Sequence, residues 1–197
     1  MDSGQVTALR ALLASTGWLE RTAEFARALR RSSRTPGGLL VVGTPDAEPW
    51  HLTAHLDDES RMIGAPELAP TLVRWDPPPD GPPHLRTGLS RLDEARRGET
   101  LLVVSPQVAP DALLERVHSA RKVATILALD RGDPELEQLA HEVLTVRPDS
   151  APVSFDAAQH LVSSAAGAER AAGEQPRAGL RERLGRLLDM VSGPAPR

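Results

Sequence analysis

Apolar residues along the chain fall into short uninterrupted runs separated by stretches of helical spacing. Between residues 98 and 146 the runs LLVVS (101–105) and VATILALD (123–130) bracket a helical pattern, which predicts strand, helix, strand. A second helical pattern, PELEQLAHEVLTV from Pro134, ends in a third short β-branched run, so the βαβ unit repeats at once. Upstream, Val6, Leu9, Leu12, Leu13, Leu19, Ala23, Phe25 and Leu29 mark residues 5–31 as one long helix or two broken near Gly17, with Thr16 as cap and Glu20 in the second first turn. Pro36-Gly37-Gly38 stops that pattern, and LLVV (39–42) reads as a buried strand ended by Gly43. The turn-rich TPDAEPW leads to a helix over 49–63, with Asp46 or Glu48 supplying negative charge at its start. PTLVRW (70–75) is a further strand. DPPPDGPP, five prolines in eight residues, is irregular, and a helix over 84–96 is expected to end at Gly98.

Five strands alternating with helices predict an α/β fold, a three-layer α/β/α sandwich with a five-stranded parallel, doubly wound sheet. Strands apolar throughout belong inside a sheet covered on both faces. Ligands of such sheets bind beyond the carboxyl ends of the strands, which singles out the loops 43–50, 75–84 and 105–111. SFDAAQHLVSSAA (154–166) predicts one more helix, capped by Ser154. The chain then divides into an α/β domain over 1–166, a polar Ala/Gly/Glu/Arg linker over 167–179 and an extra amphipathic C-terminal helix over 180–192. In that helix Leu180, Leu184, Leu187, Leu188 and Val191 form one stripe, narrow and without aromatic anchors, which suits a protein partner better than a membrane.

Composition adds bounds. With 197 residues, 40% hydrophobic and 25% charged, the chain can hold one such domain and a short appendage. No apolar stretch approaches the roughly 18 residues of a membrane span. The start lacks a signal-peptide pattern, so the expected location is the cytoplasm. Absence of cysteine removes disulfides and thiol chemistry. The net charge of −4 and the lack of a long basic run argue against nucleic acid. Arg27, Arg30, Arg31 and Arg34 read instead as cations suited to a helix C-terminus. Lys122 is the only lysine, and Asn and Tyr are absent, the skew of a GC-rich genome such as an actinobacterium's.

Candidate chemistry centres on the start of the helix over 49–63. His51 and His55 stand four apart on one face, followed by Asp58 and Glu59, a set that could hold a divalent metal. Leu52 follows His51 where a zincin has glutamate, so the expectation is no metal, with His51 at the ligand edge and His55 packed within the helix. Trp50 offers an aromatic wall. His118 and His141 fall within predicted covering helices and read, like His160, as surface or packing residues. GTPDAEP has one glycine rather than G-x-G-x-x-G, so no nucleotide cofactor, and no cofactor at all, is expected.

The segment over 98–146 resembles the second half of sugar isomerase (SIS) domains. Ser105 ends the strand, Ala120-Arg121-Lys122 precedes the next, and LAHEVL stands where that family has Leu-Ala-Asp-x-x-Leu. Gly43-Thr44 falls where family members have glycine and a hydroxyl residue, and the resemblance covers about residues 5–165. It implies a homodimer through the helices and a sugar-derived ligand; the expected binding residues are Gly43, Thr44, Ser105 and Gln107, together with Trp50 and His51 from their place at the helix start. The departures are specific. Family members hold phosphate with Ser-x-Ser-Gly-x-Thr, whereas this chain has Ser105-Pro106-Gln107-Val108-Ala109-Pro110, in which two prolines lack N–H donors. The glycine usual before the strand at Val123 is also missing. The expectation is a non-catalytic or regulatory SIS-like module binding a small polar metabolite or a protein. Its alternatives are a phosphosugar aldose–ketose isomerase with His51, Glu48 or His84 as base, and a scaffold acting through residues 180–191.

Overall fold

A computed structural model describes residues 17–149, 151 and 153–168. The C-terminal helix, the linker beyond residue 168 and the helix expected before Gly17 lie outside the described residues. The chain runs α1 (Trp18–Ser32), β1 (Leu39–Gly43), α2 (Trp50–Met62), β2 (Pro70–Val73), α3 (Ser90–Asp93), β3 (Thr100–Ser105), α4 (Asp111–Ala120), β4 (Thr125–Asp130), α5 (Pro134–Leu139), β5 (Glu142–Thr145) and α6 (Phe155–Ala168). All five strands are parallel in the order β2-β1-β3-β4-β5. Strand order therefore reverses between β1 and β3, and the carboxyl edge there is the expected binding edge.

Every residue of β1 and β3 is buried, as uninterrupted apolar runs require of a sheet covered twice. Alternation sorts the strand residues onto two cores. Leu39, Val41, Leu102, Val104, Leu127 and Leu129 pack with Trp18, Phe25 and Leu29 of α1, Leu52 and Leu56 of α2, and Phe155 and Val162 of α6. On the other face Leu40, Val42, Leu101, Val103 and Ile126 meet Leu92 of α3, Leu113 and Val117 of α4, and Leu136 of α5. Three layers follow.

The helix expected over 84–96 does not form. A 3-10 turn over Pro83–Leu85 and the single turn of α3 replace it. The Arg74 N–H donates to the Thr87 carbonyl at 2.8 Å and Arg74 bridges Gly88 in parallel, so this segment runs alongside the end of β2 instead of coiling. The helix from Pro134 is also shorter than its pattern. It ends at Leu139 because Ala140 turns extended and the His141 N–H donates to the Ile126 carbonyl at 2.8 Å. Ile126 returns the bond, its N–H reaching His141 Nδ1 at 2.9 Å. His141 therefore lies in the approach to β5, not in a helix. Ser154 caps α6 as its type and place predict, accepting the Ala157 N–H at 3.1 Å. Lys122 lies in the exposed turn between α4 and β4, at the amino edge of the sheet.

Candidate functional site

The residues after β1 fold tightly over the strand end. The Ala47 N–H donates to the Thr44 carbonyl at 3.1 Å, closing a turn. A Cβ at Gly43 would fall on the Ala47 carbonyl oxygen and lie 2.7 Å from Pro49 Cδ, so the turn requires glycine. Gly43 also accepts the Trp75 indole N–H at 2.8 Å. Glu48 next to this turn is fully engaged. Its Oε2 accepts Arg74 Nε at 3.0 Å and its Oε1 accepts the Trp75 backbone N–H at 3.1 Å. Arg74 in turn lies over the Trp50 ring, 4.6 Å from its centroid. The exit of β2 is thereby clamped to the start of α2. The acidic charge expected in the first turn of α2 is absent, since Glu48 faces Arg74 instead.

A cleft of about 370 Å³ opens at this edge, between the starts of α2 and α6. Trp50, His51 and Leu52 form one wall. Phe155, Asp156, Gln159 and His160 form the other, with Val104 and Pro106 between them and Arg131 at the carboxyl end of β4. No side chain caps the start of α2. Arg131 is exposed, stands 5.5 Å from the Phe155 ring centroid and makes no ion pair with a described residue. Gln159 Nε2 donates to Asp156 Oδ1 at 3.2 Å. The His55 and His160 rings meet edge to face with centroids 4.4 Å apart. Burial, and then the neighbouring His55 and His51 imidazoles, hold His160 below the usual histidine range, with Asp156 opposing.

Of the sequence candidates, the cleft brings together Trp50, His51 and Glu48. His55 lies behind it against His160. Gly43 and Thr44 are buried in the turn, and Thr44 Oγ1 has no hydrogen-bond partner among the described residues. His84 is exposed in the 3-10 turn after β2, outside the cleft. Ser105 is fully buried and donates its hydroxyl proton to the Gln107 carbonyl at 2.6 Å, while the Gln107 side chain is exposed. Alternation accounts for the separation. Val104 faces the α2 and α6 side, so Ser105 faces the other. Among the described residues no three His, Cys, Asp or Glu side chains converge to hold a metal.

The loop after β3 is closed on the protein itself. Asp133 Oδ2 accepts the Ala109 N–H at 2.7 Å, and its Oδ1 caps α5 by accepting the Glu135 and Leu136 N–H groups. Asp130, paired with Ser105 across the sheet, accepts the Asp133 N–H at 3.0 Å through Oδ2, while its buried Oδ1 has no partner among the described residues. Burial raises its carboxyl above the ordinary aspartate value. Sequence reasoning passed over Arg131, Asp156, Gln159 and Asp130. Arg131 carried a usable signal, since it directly follows a predicted strand at the ligand edge. The face that α6 turns toward the cleft had none.

No family model matches the sequence, and no curated protein matches it. Among solved structures the chain is similar to a protein from Silicibacter pomeroyi described as a candidate phosphosugar isomerase, with a TM-score of 0.58 and 16% identity over 95% of this chain. The match covers 53% of that protein, so the chain spans about half its length. A candidate sugar-binding protein from Salmonella typhimurium (TM-score 0.48, 16% identity, 91% of this chain and 58% of that one) and the Vibrio vulnificus NanR protein complexed with ManNAc-6P (0.47, 13%, 97% and 72%) are weaker likenesses and add nothing to the assignment. With its five parallel strands, their order and its covering helices, the chain has the fold of the sugar isomerase (SIS) domains.

Proposed function

We propose that the chain is a non-catalytic SIS-type module whose cleft holds the anionic end of a small sugar-derived metabolite. The observation that carries this reading is the convergence on one cleft of the uncapped start of α2 and Arg131, which makes no ion pair with a described residue. The first-turn N–H groups of a 13-residue helix lack intrahelical acceptors and carry the positive end of its dipole, that of Trp50 alone turning back to the Glu48 carbonyl at 2.9 Å, and a guanidinium adds directed donors. A volume of about 370 Å³ suits one monosaccharide derivative. The fold likeness to a protein described as a candidate phosphosugar isomerase supports a sugar as the remainder. Catalysis is disfavoured because Glu48, a candidate base, has both carboxylate oxygens committed to Arg74 and Trp75. His84 lies elsewhere, so of the three bases that the sequence offered His51 alone is left in the cleft with an uncommitted side chain.

Titration calorimetry with hexose 6-phosphates and N-acetylamino sugar phosphates tests this. Arg131→Ala is expected to weaken binding by about tenfold, the worth of one charge-assisted contact. No binding by the wild-type protein overturns the reading. Aldose–ketose turnover lost in His51→Ala would replace it with the isomerase, His51 serving as base. The same proposal includes two partners, a second copy of the chain and a protein held through the leucine stripe of residues 180–191. Sedimentation velocity checks the first. Capture of the partner by a chain ending at Gly167 would dismiss the second.

A further inference from the structure

At the cleft wall two imidazoles, those of His55 and His160, meet across the seam between α2 and α6, with His51 one turn before His55. His51 and His55 stand one turn apart on α2, and the His55 ring meets His160 of α6 at 4.4 Å and 66°. His51 and His160 line the cleft, and His55 does not. Among the described residues, the groups facing His160 are therefore His51 and His55 from α2, Asp156 from its own helix, and, on the rest of the wall, Glu48 in its ion pair with Arg74, and Arg131. Asp58 and Glu59 lie a further turn along α2. From α1, Arg30 donates to the Ala166 carbonyl, near the far end of α6.

Two imidazolium rings at this separation would repel in a partly buried seam, so the pair resists a second proton. Burial and its neighbours already hold His160 toward the neutral form. An anion in the cleft changes that balance, because a negative charge beside an imidazole favours its protonated state. We infer that anion binding in this cleft is coupled to proton uptake by His160. The inference rests on the proposed function and adds to it a regulation. The module would report acidity and metabolite together, since by linkage whatever proton uptake does for the anion, the anion does for the proton.

Glucose 6-sulfate is the decisive probe, because its charge is constant between about pH 5.5 and 7.5 while histidine titrates. It is titrated beside glucose 6-phosphate, in buffers of different ionisation enthalpy, so that the heats count protons taken up. The expected result is uptake approaching one proton per sulfate ester and affinity rising by up to about tenfold for each unit fall in pH. His160→Gln should flatten the pH dependence. His55→Gln should retain the uptake but move its midpoint to higher pH, followed directly by histidine C–H resonances, so the test does not depend on how well the first variant folds. Sulfate-ester binding without uptake overturns the coupling and leaves the proposed function standing. Binding of the phosphate ester alone, following its own second ionisation, does the same. Absence of binding by either ester at any pH overturns both.

Discussion

Asp130 and His160 are both shifted by burial, and the shifts have opposite consequences for stability. Asp130 holds its proton to higher pH in the folded chain than in the unfolded one, where the value is near 3.8. Stability is therefore lost as pH rises from 3.8 through the raised folded value. Asp130→Asn keeps an oxygen for the Asp133 N–H and removes the buried charge. Its unfolding free energy relative to wild type, from urea titrations at each pH, should rise across that window, reaching about 1 kcal/mol of relative stabilisation at neutral pH. A difference independent of pH would refute the assignment. His160 works the other way, since its folded form gives up the proton more readily than the unfolded chain does near 6.5. Stability present above 6.5 is lost as pH falls from there through the lowered folded value. Neither shift shows in the sequence, because each depends on neighbours brought in by the fold: Ser105 beside Asp130, and α2 beside His160.

The start of α2 shows which parts of an element can be read from spacing alone. Its span was legible to within a residue at each end, 49–63 from periodicity and Pro49 against 50–62 in the fold, and His51 in its first turn lines the cleft at the edge where the sequence put it. What held it was not. Glu48 looks like a free carboxylate until Arg74, 26 positions later on the exit of β2, is seen to close on it. Ser105 shows the same limit, since its place at a strand end was evident but its face depends on a register counted from Val104. The helix over 84–96 failed for a related reason, because a parallel bridge from Arg74 outcompeted a local preference. Gly43 is the point where these contacts are least tolerant. Gly43→Ala is expected to cost about 2 to 3 kcal/mol by overpacking the turn against Ala47 and Pro49. Urea unfolding measures the loss, and a variant within 0.5 kcal/mol of wild type, roughly the scatter of neutral substitutions, would show that the turn yields.

For the whole molecule, α6 closes the layer formed with α1 and α2, and Phe155, Ala158, Val162 and Ala166 complete its core. A chain ending at Thr145 should therefore expose the sheet face carrying Val41, Leu102 and Leu127 and lose cooperative unfolding. A sharp two-state urea transition in that truncation would show that the other core suffices. The doubly wound architecture was legible because parallel strands advertise themselves as unbroken apolar runs; the cleft was not, because it forms where two helices far apart in the chain meet. The same polarity of the sheet has a practical side. Lys122 carries the only lysine amine in the chain and stands at the amino edge, about 20 Å along β4 from the cleft rim at Arg131. Amine coupling through this side chain would tether the domain to a sensor chip by its blunt end, with the cleft presented to flowing analyte.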